Sequence, residues 1–344
     1  MFLVSWEMDE AMTTRVGITR SLLFFHYYPL WRSFFRGLGA EIVLSAPTTR
    51  KILERGIQLG VSDLCLPMKL HLGHVEALQG EIDFLFLPRL VSLSPDSYFC
   101  PKFLGLPDVV RASIDGLPPL LSPCFNAKVA HGGLDEGFME VGRALGVKER
   151  TIQAALHGAL EVQGRFEALL GKGWLPLAAM EALEKSGGDE DETGTIPGDG
   201  HPFIAIIGHP YNLYDEYLNF DLLNQIRKKG YRLLTPERVS WEEVEEKNAL
   251  LRKKVYWSLS RRIVGAALSF LCSEWIEGMI FLSSFGCGPD SFSKDLVDRR
   301  VKTTYPVPYL SLVLDEHTSP AGLQTRLDAF LDMVSWRRLK VHGK

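Results

Sequence analysis

The chain has 344 residues, of which 46% are hydrophobic and 23% are charged. This composition is typical of globular proteins rather than disordered ones, and the length exceeds one ordinary core, so we expect two α/β domains with additional helices. The formal net charge of −4 gives no reason to expect nucleic acid or an anionic membrane surface as a partner.

Neither a membrane span nor a secretory leader is expected. The most apolar stretch, residues 263–281, contains Glu274 and Glu277, whereas a span needs about 20 mostly apolar residues. The first ten residues carry acids and no basic residue, unlike a signal peptide. Five cysteines form a sparse, odd set that does not resemble a disulfide framework. We therefore expect a cytoplasmic protein with no membrane partner, whose cysteines are buried thiols, nucleophiles or metal ligands.

In chain order, the first part of the sequence alternates strand and helix patterns. After a short apolar run at residues 21–25, strands are predicted over residues 41–44 and 84–87. Helices are predicted over residues 28–38, 48–60, 68–78 and 108–113, and Gly39 is expected to end the first of them. Strands separated by such helices are typical of βαβ units with a mainly parallel sheet. We assign residues 16–132 to a first α/β domain.

Residues 133–185 show helical periodicity only, with a long amphipathic helix predicted over residues 147–170. Residues 186–200 are rich in glycine and acids, and we interpret them as a linker or exposed loop. A second α/β domain is assigned to residues 201–344. Its strands are predicted over residues 203–207, 231–234, 278–283 and 309–314. Its helices are predicted over residues 221–229, 241–272, 289–299 and 322–334.

Cys287 is the most suggestive single residue, because FGCGPDS lies between a predicted buried strand and a predicted helix. Ligands of open α/β sheets bind at the carboxyl ends of strands, and the flanking glycines let a bulky ligand approach the backbone. The helix N-terminus is expected to lower the pKa of this thiol. The alternative interpretation is a glycine-rich turn with an incidental cysteine.

Cys65 and Cys100 lie in comparable connections before predicted helices. Each alone is more often a small buried hydrophobe, but three cysteines in such positions form a constellation. We expect Cys272 in the core and Cys124 in a structural role. The chain has no CxxC pair typical of zinc or ferredoxin-type sites, no GxxxxGK[ST] phosphate loop, no GxSxG elbow and no HExxH.

Two polar clusters follow predicted strands, one after residues 203–207 and one after residues 309–314. Both could line an inter-domain crevice and supply acid–base or anion-binding groups, although loop capping is an equally good explanation. The candidate catalytic residues are His209, Tyr211, Asp215, Glu316 and His317. His71 and His74 are interpreted as helix-face residues.

Six segments make the sequence recognisable: GITRSLLFFHYYPLWRSFF, CLPMKLHLGHV, CPKFLGLPD, GHPYNLYDEYLN, SSFGCGPDSF and DEHTSPAGLQTRLDAF. They resemble acyl-CoA dehydratase activase-related proteins, relatives of 2-hydroxyacyl-CoA dehydratase and benzoyl-CoA reductase subunits and of double-cubane cluster proteins. The resemblance extends from Val16 to about Val334, although Thr19 stands where relatives commonly have proline and Ser319-Pro320 also differ. It implies an α/β fold with two flavodoxin/Rossmann-like parallel-sheet domains and an intervening helical segment.

The resemblance also implies an iron–sulfur cluster at the domain interface, [4Fe–4S] or a double cubane, with Cys65, Cys100 and Cys287 as ligands. Three thiolates on a [4Fe–4S] cluster leave one iron open to bind a substrate oxygen or to pass electrons. The implied partners are a separate ATPase activator protein and a homologous subunit or a second copy. An acyl-CoA or another small molecule is the implied substrate. We expect no ATP hydrolysis by this chain, because it lacks the phosphate loops of the ATPase.

Three functions are therefore open. The first is an electron-accepting redox subunit, as in an ATP-dependent reductase or an (R)-2-hydroxyacyl-CoA dehydratase. The second is an accessory subunit that pairs with a homologous chain. The third is a cluster-free enzyme that uses Cys287 as a nucleophile.

Overall fold

The computed structural model of the chain describes residues 13–130, 132–185, 202–273, 275–305 and 307–342. We call residues 13–185 the first half and residues 202–342 the second half. The linker predicted at residues 186–200 lies outside the described residues. None of the described helices combines the length and the apolar character needed to cross a lipid bilayer.

The first half contains, in chain order, β1 (Arg15–Ile18), α1 (Phe24–Gly37), β2 (Glu41–Leu44), α2 (Arg50–Leu59), α3 (Leu66–Glu76), β3 (Phe84–Phe86), β4 (Arg89–Ser92), α4 (Pro101–Leu104), α5 (Leu106–Ser113), β5 (Leu120–Leu121), β6 (Cys124–Asn126), α6 (Leu134–Ala144), α7 (Glu149–Gly171) and α8 (Pro176–Glu184). The second half contains β7 (Phe203–Gly208), α9 (Pro210–Leu213), α10 (Leu222–Lys228), β8 (Arg232–Leu234), α11 (Trp241–Ala249), α12 (Ser258–Leu271), β9 (Ile276–Ser284), α13 (Gly288–Thr303), β10 (Tyr309–Leu314) and α14 (Pro320–His342).

Each half is built on a four-stranded parallel sheet. The strand order is β2-β1-β3-β5 in the first half and β8-β7-β9-β10 in the second. Both sheets thus run second, first, third, fourth strand, the doubly wound order in which ligands bind beside the first and third strands. The α/β class with two Rossmann-like parallel sheets is confirmed.

The main apolar core is continuous across both halves, from Val16 in β1 to Val334 in α14. The helical segment α6–α8 packs on α1 within the first half. Phe34 of α1 lies against Phe138 of α6 with ring centroids 4.5 Å apart. Burying each sheet between helices in this way is what a parallel sheet requires.

The single helix predicted over residues 241–272 is wrong, because α11 and α12 are separated by residues 250–257. This segment forms backbone hydrogen bonds with the first half instead: Tyr98 N donates to Tyr256 O, and Ser258 N donates to Tyr98 O. The expected core position of Cys272 is also wrong. This residue follows the end of α12, is exposed, and places its sulfur 3.3 Å from the Tyr305 hydroxyl.

Helices α2 and α3 cross with unusually close backbones, because each presents a glycine at the crossing. A Cβ added to Gly56 would overlap the carbonyl oxygen of Lys69, and one added to Gly73 would overlap that of Ile52. Since α3 begins directly after Cys65, this crossing fixes where the Cys65 thiol lies.

We expect Gly56→Ala to lower the free energy of unfolding by about 1–3 kcal/mol, because the backbone carbonyl of Lys69 cannot move aside without shifting α3. Gly158→Ala is the matched control, since a Cβ at Gly158 in α7 would meet nothing within 4 Å. This control should raise the free energy of unfolding by about 0.5–1 kcal/mol. Urea denaturation measures both, and equal midpoints for the two variants would contradict the close crossing.

Candidate functional site

Among the described helices, four begin directly after a cysteine or a histidine. Cys65 precedes α3, Cys100 precedes α4, His209 precedes α9 and Cys287 precedes α13. All four capping residues have extended backbones, with φ of −65°, −68°, −69° and −90°, and a proline stands in the first turn of each helix. Proline there fixes the direction in which the helix leaves the loop. The four side chains therefore occupy equivalent positions.

The sheet order brings these loops together. His209 follows β7 and Cys287 follows β9, the two adjacent strands beside which a doubly wound sheet binds ligands. The loop carrying Cys287 then touches the first half at Gly286, where an added Cβ would lie 3.4 Å from the Cys65 Cα. Gly286 has φ of +74°, a conformation that glycine adopts without strain.

The thiols of Cys65, Cys100 and Cys287 lie near enough at this junction to influence one another's pKa, and we call them the cysteine cluster. Burial raises the pKa of each thiol, to about 11 for Cys65. In addition, Cys65 and Cys100 each raise the pKa of Cys287, because thiolates repel one another. For Cys287 the carboxylate of Asp290 is the second cause. The opposite influence comes from backbone N–H groups three residues along the chain, at Met68, Phe103 and Asp290. In each case the N–H donor stands three residues after the cysteine, so the three positions are again equivalent.

The expectation that the helix N-terminus lowers the pKa of Cys287 is wrong for the metal-free chain. Desolvation outweighs the favourable N–H group, since a thiolate loses its hydration in this buried site. A protonated thiol is a weak nucleophile, so the geometry disfavours the cluster-free enzyme with Cys287 as nucleophile.

A buried histidine–carboxylate pair stands beside Cys287. His209 Nδ1 lies 2.5 Å from Asp290 Oδ1, and Asp290 Oδ2 accepts hydrogen bonds from Ser284 N at 2.8 Å and Asn212 Nδ2 at 3.3 Å. The potential ligand atoms of His209, Cys287 and Asp290 all lie within 4.8 Å of one another.

Tyr211 packs on the same group. Its ring stacks on the His209 ring with centroids 5.1 Å apart and an interplanar angle of 4°. Burial raises the pKa of Tyr211 well above its usual value, and the neighbouring Cys287, Asp290, Cys100 and Cys65 raise it further. Tyr211 is therefore an uncharged side chain that packs beside the cysteine cluster.

The other sequence candidates lie elsewhere. Asp215 accepts a hydrogen bond of 2.5 Å from the Thr48 hydroxyl, and Glu316 forms a 2.6 Å ion pair with Lys69. Both contacts join the two halves, so these acids act as ties across the junction. His317 points into solvent, with 87% of its side chain exposed.

His71 and His74 are interior residues, contrary to the helix-face interpretation, because residues 66–75 of α3 are buried on every side. The His71 Nδ1 lies 2.8 Å from the Ser21 hydroxyl, and the His74 Nδ1 lies 2.9 Å from the Ser45 hydroxyl. Burial lowers their pKa values to about 3 and about 4, so both rings are neutral.

Sequence reasoning missed Asp290, Asn212 and Ser284. Asp290 stands three residues after Cys287, in the first turn of α13, and this spacing places it on the same side as the capping thiol. That spacing could have identified Asp290. Asn212 and Ser284 carry no comparable signal, since their role depends on the pairing of β7 with β9.

A cleft of about 1020 Å³ opens between the halves. Phe99, the chain neighbour of Cys100, is part of its wall. Arg238 also lines the cleft, and its buried Nη1 has no hydrogen-bond partner among the described residues. Arg262 donates to the Glu237 carbonyl at 2.9 Å and lies over the Trp241 ring at 4.9 Å. Four acidic residues line the same cleft, which therefore presents groups of both charges: Asp96, Glu167, Glu237 and Glu245.

The family model described as CoA enzyme activase uncharacterised domain (DUF2229) matches residues 15–239. The chain belongs to this family. The match confirms the resemblance to activase-related proteins and includes Cys65, Cys100 and His209, whereas Cys287 lies beyond its end. No curated protein matches the chain.

The residues of this CoA enzyme activase-family chain fit an iron–sulfur cluster by their chemistry. Three thiols at one site are the ligand type that such clusters use. A single tetrahedral ion would draw thiolates to within about 3.8 Å of one another, given metal–sulfur bonds of about 2.3 Å. Among the described residues, the group whose potential ligand atoms lie within 4.8 Å of one another consists of His209, Cys287 and Asp290.

We expect the metal-free, folded protein to react with iodoacetamide at about pH 8 at Cys124 and Cys272, which are exposed, at least tenfold faster than at the three clustered thiols. With a pKa of about 11, roughly 0.1% of Cys65 is thiolate at that pH. Peptide mapping by mass spectrometry gives the rates, and urea-unfolded protein should react equally at all five positions. Fastest labelling at Cys287 would contradict the buried cluster and would favour a nucleophilic cysteine.

Proposed function

We propose that this chain is an iron–sulfur redox subunit that holds a [4Fe–4S] cluster through Cys65, Cys100 and Cys287. The observation that carries the proposal is the convergence of these three cysteines, distant in sequence, at equivalent capping positions of one buried site. In the bound form such a cluster supplies one-electron chemistry at a potential set by its surroundings.

The chain's own groups would set those surroundings. The N–H groups of Met68, Phe103 and Asp290 favour the thiolate forms of the ligands. The Asp290 carboxylate and the apolar burial act in the opposite direction, because they disfavour additional negative charge. Tyr211 and the packed loops exclude water. A buried site with one fixed carboxylate is thus suited to a low potential.

A low-potential electron requires a donor. We propose a separate ATPase activator protein, because this sequence has no GxxxxGK[ST] loop with which to hydrolyse ATP itself. The donor loses one electron and the site gains one, which then leaves to an acceptor. A homologous subunit or a second copy of this chain is the further partner that we propose.

The cleft beside Cys100 is the place that we propose for the acceptor. The free Nη1 of Arg238 and the guanidinium of Arg262 would bind a carboxylate or phosphate, and Trp241 would pack on an apolar body. A small organic acid or an acyl-CoA satisfies this description.

We expect anaerobically reconstituted protein to be brown and to contain about four iron and four sulfide per chain. Cys65→Ala, Cys100→Ala and Cys287→Ala should each lose most of this iron, because each removes a thiolate ligand. Cys124→Ala and Cys272→Ala are matched controls at exposed positions and should keep it. Iron and sulfide assays on purified protein measure the difference.

Colourless, iron-free wild-type protein after reconstitution would refute the proposal, as would equal iron loss in the control variants. An iron-free chain that copurifies with a homologous subunit would instead identify an accessory protein. Circular dichroism of each variant separates loss of iron from loss of folding.

A further inference from the structure

We propose that His209 is the fourth protein ligand of the cluster, binding through Nε2, and that Asp290 is the residue that positions its ring. This inference rests on the proposed function and extends it, since it assigns the iron that three cysteines leave without a protein ligand.

The first argument is the equivalence of position. His209 caps α9 as the cysteines cap α3, α4 and α13, with φ of −69° and ψ of 146° against −68° and 158° for Cys100. His209-Pro210 also repeats the local sequence of Cys100-Pro101. Histidine is a common metal ligand, and in some iron–sulfur proteins it replaces cysteine directly. The chain therefore presents four potential ligands from four matching loops.

The second argument is the hydrogen bonding of the ring. The Asp290 Oδ1 lies 2.5 Å from Nδ1, and in the tautomer in which Nδ1 donates its proton to this carboxylate, Nε2 keeps the lone pair. Metal-binding histidines typically donate their other ring N–H to a carboxylate in this way. No described residue forms a hydrogen bond with Nε2, although only 3% of the side chain is exposed. The nitrogen suited to metal binding thus has no partner among the described residues, in a side chain that is 3% exposed.

The third argument excludes Asp290 itself as the ligand. Its Oδ1 accepts from His209, and its Oδ2 accepts from Ser284 N and Asn212 Nδ2. Both oxygens are therefore occupied by protein donors. Stacking of Tyr211 on the other side fixes the plane of the His209 ring. The carboxylate and the tyrosine together hold the imidazole in one orientation.

The consequence concerns function. A cluster with a protein ligand on every iron is suited to passing electrons rather than to binding a substrate oxygen. The histidine ligand separates this chain from an (R)-2-hydroxyacyl-CoA dehydratase in which an open iron would bind substrate. The acceptor would then bind in the neighbouring cleft without contacting iron.

Pulsed EPR on reconstituted, dithionite-reduced protein grown with ring-¹⁵N histidine tests the ligand. We expect a strongly coupled ¹⁵N nucleus in wild-type protein and its loss in His209→Ala, with at least half of the iron retained on the three cysteines. His317→Ala is the matched control, because that ring lies in solvent, and it should keep the coupling. Asp290→Asn should keep the iron but change the coupling, as expected for a residue that acts through His209.

Ferricyanide oxidation provides a second readout that needs no reduced cluster. An iron without a protein ligand is the first to leave, so His209→Ala should form the EPR-active [3Fe–4S] species several times faster than wild type. A cluster without a strongly coupled nitrogen, or one equally labile in both proteins, would overturn the inference and leave the proposed function intact. One bound ion without sulfide would overturn both, since it would indicate a single-metal site of His209 and Cys287.

Discussion

The site depends on bringing together ionisable groups that repel one another when they are ionised. Three thiols and the Asp290 carboxylate share one buried junction, where each raises the pKa of Cys287 and desolvation adds to the effect. In the metal-free chain the thiols stay protonated, because no bound cation compensates three thiolates. A metal centre reverses this balance, since coordination deprotonates thiols outright and couples binding to proton release. At the site that we propose, the same burial would favour thiolates held by a cationic centre over free thiolates.

The fold produces this junction by repetition. Both sheets have the same strand order. In the second half His209 and Cys287 follow the first and third strands, β7 and β9, whereas in the first half Cys65 and Cys100 directly precede α3 and α4. The halves are then fastened by the Lys69–Glu316 ion pair and the Thr48–Asp215 hydrogen bond, on elements adjoining the cysteine loops. These ties lie at the edge of the site rather than in it. Asp215 and Glu316, two candidate residues from the sequence, thus each form a contact across the junction.

Local patterns were sufficient for much of the fold. The strands at residues 41–44 and 309–314 were predicted with their observed bounds, because apolar runs between helices leave little choice. The break between α11 and α12 was not predictable, since its backbone bonds to Tyr98 come from the other half. The three cysteines were recognisable from their loops, whereas the pairing of His209 with Asp290 required the adjacency of β7 and β9. Periodicity carries no information about such contacts between distant segments.

Crystals of anaerobically prepared protein, measured on both sides of the iron K edge, test the central claim most directly. We expect one anomalous iron peak between the two halves, bordered by the sulfur atoms of Cys65, Cys100 and Cys287. Iron bound elsewhere, or sulfur atoms separated into different cores, would contradict it.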